Sequence, residues 1–169
     1  MIGSYDNQRK LDFEKRPIVV PNIVNATPEL DKITEMCDII CLNRYYGWYI
    51  DHGYLDAAIP KLCAEIERWH EKYPDKPIMF SEFGVDTVSG MHSLYKNPYS
   101  EEFQAQFYRE HFAVLDRYEY IIGEHLWNFA DFATGNNIRR IDGNLKGIFT
   151  RDRRPKSVAF EIQKRWLEK

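Results

Sequence analysis

The sequence predicts an α/β fold of four consecutive βα units, which is half of a (βα)8 TIM barrel. Short β-rich runs alternate with longer helical segments, which is typical of a parallel sheet with right-handed crossovers. Polar and aromatic residues follow the strands, where barrel active sites lie. The chain has 169 residues, whereas a full barrel needs about 250. The sequence therefore accommodates only half a barrel.

The first predicted unit combines a strand at 16–24 with a following helix. Thr27 is suited to the N-cap of that helix and Pro28 to its first turn. The apolar residues that repeat at helical spacing here are Leu30, Ile33 and Cys37.

The other three units follow in the same order. Strands are predicted at 38–43, 77–81 and 120–127, and helices at 56–72, from Ser100 to about Tyr118, and after Pro155. A small doubly wound sheet is the alternative architecture, and its strand order would reverse at a switch point. No strand is followed by a Gly-rich dinucleotide-binding loop, which favours the barrel.

Net charge, apolar runs, cysteines and histidines limit which partners, cofactors and cell compartment the sequence suggests. The net charge of -3 provides no electrostatic reason to expect nucleic acid as the main partner. No apolar run approaches the roughly 18 residues of a membrane span. The three cysteines lie in apolar surroundings and are odd in number, so we expect reduced core thiols and a cytoplasmic protein. The five histidines show no ligand spacing, so no metal or other cofactor is expected.

The stretch I-M-F-S-E-F-G ends an apolar strand on a carboxylate, Glu82. At the carboxyl end of a barrel strand this side chain would face the barrel mouth, where a catalytic carboxylate belongs. The alternative interpretation is a rim carboxylate that pairs with an arginine.

Two aromatic stretches suit a flat, hydroxyl-rich ligand such as a sugar. Residues 42–49 combine Asn43 with Tyr45 and Tyr49, and Trp127 ends the fourth predicted strand. Ring faces stack on C–H surfaces while hydroxyl and amide groups form hydrogen bonds. The alternatives are a loop packed over the rim and a core tryptophan.

One late loop is basic. It contains Arg139, Arg140, Asn144 and Lys146. A lysine supplies charge and an asparagine a directed N–H, so this loop is suited to bind a carboxylate. The alternative is a set of solvated loop cations.

Four stretches together resemble the β-glucuronidases of glycoside hydrolase family 2. They are C-L-N-R-Y-Y-G-W-Y, S-E-F-G-V-D-T, W-N-F-A-D-F and G-N-L-K-G-I-F-T-R-D-R-R-P-K, in the family's order. The resemblance extends from about Arg16 to the end of the chain. It implies a (βα)8 catalytic barrel, preceded by a sandwich and an immunoglobulin-like domain, that hydrolyses β-D-glucuronides with retention of configuration.

The same resemblance implies roles for single residues. Glu82 corresponds to the nucleophile on barrel strand seven. The residues implied to contact the sugar ring are Asn43, Tyr45, Tyr49 and Trp127. Those implied to bind the glucuronate carboxylate are Arg140, Asn144 and Lys146.

The family's acid/base motif, Asn-Glu-Pro after strand four, does not occur in this sequence. The resemblance therefore implies that residues 1–169 form one unit, strands five to eight of the barrel and thus its C-terminal half, and we expect this unit to be inactive alone. Glu101, Glu124 and Asp131 are not expected to replace the missing carboxylate. The alternative is a non-catalytic half barrel that binds sugar or forms a homodimer through its exposed edges.

Overall fold

The four strands form one parallel sheet in sequential order. The computed structural model describes residues 2–135, 138, 140 and 142–168. The strands are β1 (Pro21–Asn22), β2 (Ile40–Asn43), β3 (Ile78–Glu82) and β4 (Ile121–Glu124), in the order β1-β2-β3-β4. All three pairings are parallel. Sequential order confirms the half barrel and excludes a doubly wound sheet, whose order reverses at a switch point.

The helices match most of the predicted pattern. They are α1 (Ile2–Leu11), α2 (Leu55–Lys72), α3 (Glu101–Leu115) and α4 (Val158–Glu168). Helix α3 begins where the sequence indicates, because the Ser100 side chain accepts a hydrogen bond from Phe103 N. Within the described ranges, none of the helices is both long and apolar enough to cross a membrane.

The prediction of an α-helix after Thr27 is wrong. This segment forms turns and a single 3-10 helix, Thr34–Met36. The Asp31 carboxylate accepts hydrogen bonds from two backbone amides, those of Ile33 and Thr34. Lysines 72 and 76 then bind carbonyl groups that an α-helix would use internally; these belong to Pro28, Asp31, Thr34, Glu35 and Cys37. The apolar spacing cannot reveal this competition.

The first strand is also shorter than the predicted 16–24. It comprises only Pro21 and Asn22. Proline has no N–H, and both Pro17 and Pro21 lie in the predicted range, so the ladder cannot extend as a regular strand.

The core lies between the sheet and helices α2 and α3. Its fully buried side chains include Leu42, Trp69, Phe80, Phe83 and Phe107. All three cysteines are free; Cys37 and Cys41 are buried and Cys63 is half-buried.

A buried ion pair joins Arg44, the residue that follows β2, to helix α2. The Arg44 guanidinium pairs with the Glu65 carboxylate at 2.6 Å, and neither side chain is more than 3 % exposed. Arg44 also donates to carbonyl oxygens of three loop or strand residues, Asn22, Ala26 and Asn43. Glu65 accepts in turn from Tyr46 and Trp69. One guanidinium therefore fixes the ends of two strands.

Replacing Arg44 with methionine should lower the free energy of unfolding by about 3–5 kcal/mol, because Glu65 becomes an unpaired buried charge. Urea denaturation measures this loss. Arg68→Met is the matched control: Arg68 pairs with Glu29 on the surface, so the loss should be about 0–1 kcal/mol. Equal losses in the two variants would contradict this account of Arg44.

His111 is a polar side chain that lies completely inside the apolar core. Its Nδ1 lies 2.8 Å from Phe107 O, while its Nε2 has no hydrogen-bond partner among the described residues. The ring stacks on Phe107 with 3.8 Å between centroids. Complete burial lowers the pKa of His111 to about 4.

This burial makes stability depend on pH. Between about pH 6.5 and pH 4 the unfolded chain protonates His111 while the native chain does not, so stability falls as the pH falls. The loss should be on the order of 3 kcal/mol, and His111→Phe should remove most of it in urea titrations at several pH values.

His92→Gln is the control for that experiment. His92 is exposed, and its hydrogen bond with Glu102 raises its pKa, so the acid-dependent loss should persist in this variant. An unchanged pH profile in His111→Phe would refute the assignment.

Candidate active site

The carboxyl ends of β2, β3 and β4 bring the predicted site residues together. Asn43 is the register partner of Glu82, and Trp127 N donates to Phe83 O at 2.9 Å. Gly84 permits this approach, because a Cβ there would lie 2.0 Å from the Trp127 carbonyl oxygen. The parallel sheet therefore places Asn43, Glu82 and Trp127 along one edge.

The Glu82 side chain is half-buried and accepts a hydrogen bond from a tyrosine. Its Oε2 accepts a hydrogen bond from the Tyr45 hydroxyl at 2.7 Å. Burial and the Glu82 carboxylate both raise the pKa of Tyr45, so the phenol stays protonated and donates. Beside it, Ser81 Oγ donates to Asn43 Oδ1 at 2.5 Å. No ion pair among the described residues includes Glu82, so the arginine pairing of the alternative interpretation is not found there.

Three aromatic rings of the loop after β2 surround the ammonium group of Lys146. Its Nζ lies 5.9 Å from the Tyr45 ring centroid, 5.3 Å from that of Trp48 and 5.0 Å from that of Tyr49. Such distances allow cation–π attraction. Tyr49 remains 42 % exposed. Tyr45 therefore contacts both the carboxylate of Glu82 and the cation.

Asp86 binds the basic loop. Its buried carboxylate accepts from Lys146 Nζ, from Arg140 Nη1 at 3.3 Å and from Leu145 N at 2.9 Å. Arg140 Nη2 also donates to the Tyr49 hydroxyl at 2.9 Å. Burial opposes the charge on Arg140, but Tyr49 and Asp86 outweigh it and raise the Arg140 pKa. These two cations and one carboxylate carry one net positive charge.

The loop segment 144–147 is buried although it forms no regular strand. Asn144 exchanges two backbone hydrogen bonds with Phe132, and its side-chain Oδ1 accepts from Lys146 N at 3.1 Å. Asn144 and Lys146 thus belong to one compact turn. Arg139, the other arginine of the basic loop, lies outside the described residues.

Trp127 sits at the other end of the strand edge. Its indole is half-buried, and Phe132 meets it edge-on with 6.2 Å between ring centroids. The following Asn128 N donates to Lys146 O at 3.1 Å. The tryptophan and the basic loop are therefore connected through one backbone contact.

The sequence of this chain matches the family model described as glycosyl hydrolases family 2, TIM barrel domain, over residues 1–168. The chain belongs to glycosyl hydrolase family 2. This membership and the parallel half barrel agree, because the family's model is itself that of a TIM barrel domain.

Several β-glucuronidases are similar to the chain. A β-glucuronidase of Streptococcus agalactiae is 48 % identical over 159 residues, covering 94 % of this chain and 26 % of the relative. One from Paenibacillus borealis is 39 % identical over 163 residues, covering 96 % and 27 %. The crystal structure of Ruminococcus gnavus β-glucuronidase superposes with a TM-score of 0.95 at 43 % identity, covering 99 % of this chain and 29 % of that one. The chain thus spans about a quarter of the length of these relatives.

Three buried charged residues that bind the basic loop are not predicted from the sequence as binding residues. They are Asp86, Asp131 and Lys156. Asp86 follows Glu82 by four residues in the quoted stretch S-E-F-G-V-D-T, so its position beside a strand end was an available signal. Lys156 ends the quoted stretch G-N-L-K-G-I-F-T-R-D-R-R-P-K, but nothing local indicates what it binds, because its partners lie 11 to 69 residues away in the chain.

Proposed function

We propose that this chain provides the nucleophile and the carboxylate-binding wall of a retaining β-glucuronidase site, and that residues 1–169 are strands five to eight of its catalytic barrel. One observation carries the proposal. Tyr45 donates to Glu82 on one side and packs against Lys146 on the other. A carboxylate nucleophile and a cation thus contact the same tyrosine. The names of the relatives support this substrate class.

Glu82 acts as the nucleophile in this mechanism. One of its carboxylate oxygens forms a bond to the anomeric carbon while the glycosidic C–O bond breaks, giving a covalent glycosyl-enzyme. The hydrogen bond from Tyr45 to Oε2 holds the carboxylate in one orientation. Because the raised pKa of Tyr45 keeps the phenol protonated, it does not compete as a base.

The other predicted residues bind the sugar. Aromatic faces and polar tips around the strand ends contact the ring and its hydroxyl groups; they belong to Asn43, Tyr45, Tyr49 and Trp127. The net positive charge of Asp86, Lys146 and Arg140 complements one carboxylate. Asn144 supplies an amide beside them.

Access to Lys146 requires a local movement. Its side chain is fully buried, and Tyr49 bonded to Arg140 lies beside it. A lysine ammonium has three N–H donors, and Asp86 takes one of them. A substrate carboxylate therefore reaches the remaining donors when Tyr49 or Arg140 shifts.

The second carboxylate of the reaction comes from outside these 169 residues. A retaining glycosidase needs an acid/base about 5–5.5 Å from its nucleophile. The available acids have other partners: Glu124 pairs with Arg165, Asp131 with Lys156, and Glu101 accepts from Ser157. The chain alone consequently binds a glucuronide without cleaving it.

We expect the isolated chain to release no 4-nitrophenol from 4-nitrophenyl β-D-glucuronide, because no group protonates the leaving oxygen or activates water. A stopped absorbance assay at high protein concentration measures this. Glu82→Gln provides the reference for contaminating activity. Turnover that Glu82→Gln abolishes would overturn the proposed fragment mechanism.

Binding tests the substrate class directly. Isothermal titration with D-glucaro-1,5-lactone and with neutral D-glucono-1,5-lactone should show at least a tenfold preference for the carboxylate form, since about 1.4 kcal/mol is tenfold. Lys146→Met should abolish the preference. Lys61→Met, which removes a surface ion pair with Asp51, should leave it unchanged. Equal binding of both lactones by the wild-type chain would contradict a glucuronate site.

A self-associating half barrel is a second candidate function, and the open sheet favours it. Strands β1 and β4 are both edges. Next to β4 a groove of about 630 Å³ is lined mainly by apolar side chains, among them Leu126, Phe129, Phe149, Phe160 and Trp166. Unpaired edges and exposed apolar surface favour pairing with another chain. A second copy fits both requirements.

Light scattering tests this candidate. A homodimer should appear at micromolar concentration, and Phe160→Glu should convert it to monomer by placing a charge in the groove. Leu94→Glu changes a comparably exposed apolar residue in a loop and should leave the dimer intact. A wild-type chain that is monomeric throughout the concentration series excludes this function.

A further inference from the structure

Lys156 lies two residues before α4 and is completely buried. Its Nζ donates to Thr87 O at 2.8 Å, to Leu145 O at 2.9 Å and to Asp131 Oδ1 at 2.9 Å. An ammonium group has three N–H donors, so this lysine is fully satisfied by three separate segments. One of these segments follows β3 and two follow β4.

Asp131 continues the connection into the basic loop. Its Oδ1 accepts from Gly147 N at 2.8 Å as well as from Lys156. Lys156 and Asp131 therefore hold the turn at both ends: the lysine binds the Leu145 carbonyl and the aspartate binds the Gly147 amide. Lys146 lies between these two points.

Side chains, and not a strand ladder, hold the backbone of this turn. Three consecutive amides donate to side-chain oxygens: Leu145 N to Asp86, Lys146 N to Asn144, and Gly147 N to Asp131. Two of these acceptors are buried carboxylates, which need a cation nearby. Lys146 itself neutralises Asp86, but Asp131 depends on Lys156.

We propose that Lys156 and Asp131 form a buried clamp that positions Asn144 and Lys146 and thereby sets the preference of the site for a carboxylate-bearing sugar. The proposal rests on the proposed function for its ligand. Lys156 is 0 % exposed, and all three of its N–H groups donate to other groups of the protein. It therefore acts as a positioning residue and not as a catalytic one.

Hydrogen exchange measures the positioning in the 169-residue chain without any ligand. Lys156→Met removes the ammonium but keeps a similar length of side chain. Amides of residues 145–147 should exchange at least tenfold faster than in the wild-type chain, while those in the middle of α2 remain protected. Unchanged exchange at 145–147 overturns the proposal.

Arg165→Met is the matched control for this variant. Arg165 lies on α4 and also forms a largely buried ion pair, with Glu124, but within the described ranges its hydrogen bonds go to Asp116 and Glu124 and not to residues 144–147. It should destabilise the chain without a selective effect on residues 145–147. Faster exchange there in both variants would show general loosening and contradict a specific clamp.

Titration with the two lactones gives the functional readout. Lys156→Met should lose the tenfold preference for D-glucaro-1,5-lactone while its affinity for D-glucono-1,5-lactone changes less than twofold. Retained preference with faster exchange would show a merely structural role and overturn the proposal. A wild-type chain without any preference contradicts the proposed function first, and the clamp as a determinant of specificity fails with it.

Asp131→Asn is the milder second variant. It keeps the side-chain shape and a carbonyl acceptor for Gly147 while removing the charge that faces Lys156. We expect an intermediate increase in exchange at residues 145–147 and a partial loss of preference. Wild-type values for both readouts would contradict the clamp even if Lys156→Met does not fold.

Discussion

The loops at the carboxyl ends of the strands depend on buried cations that bind their carbonyl oxygens. Arg44 binds three such carbonyls and Lys156 binds two. A buried loop has few backbone partners of its own, and a buried cation needs acceptors and a counter-charge. The cation supplies the donors that the loop carbonyls need, and the carbonyls supply the acceptors that the cation needs. The site therefore has a rigid base although very little of it is regular secondary structure.

The sequence was sufficient for the elements whose signals are local. Helix α3 was predictable because Ser100 marks its start and its apolar face repeats at helical spacing. The segment after Thr27 shows the same kind of spacing, yet Lys72 and Lys76 bind its carbonyl groups from another helix and its surroundings. Periodicity records which residues are apolar. It does not record which remote donor will compete for the backbone.

The same distinction applies to the site. Glu82, Tyr45 and Lys146 were predicted because Glu82 ends a strand, Tyr45 lies in an aromatic loop and Lys146 lies in a basic loop. The structure brings the three into one chain of contacts. The depth of Lys146 and its pairing with Asp86 were not predictable, because Asp86 lies 60 residues earlier in the chain. Residue type indicates the chemistry of a group, whereas its exposure is decided by the packing of distant segments.

The position of Lys156 in the chain has a consequence for biosynthesis. The carbonyl groups that it binds, at Thr87 and Leu145, leave the ribosome before it does, and Ser157 completes a second contact with Glu101. Because synthesis proceeds from the N-terminus, the sheet can begin to form while the turn around Lys146 still lacks these donors. A chain that ends shortly before Lys156 would therefore contain all four strands but lack the donors that hold the basic turn, together with the buried Val158 and Ile162 of α4.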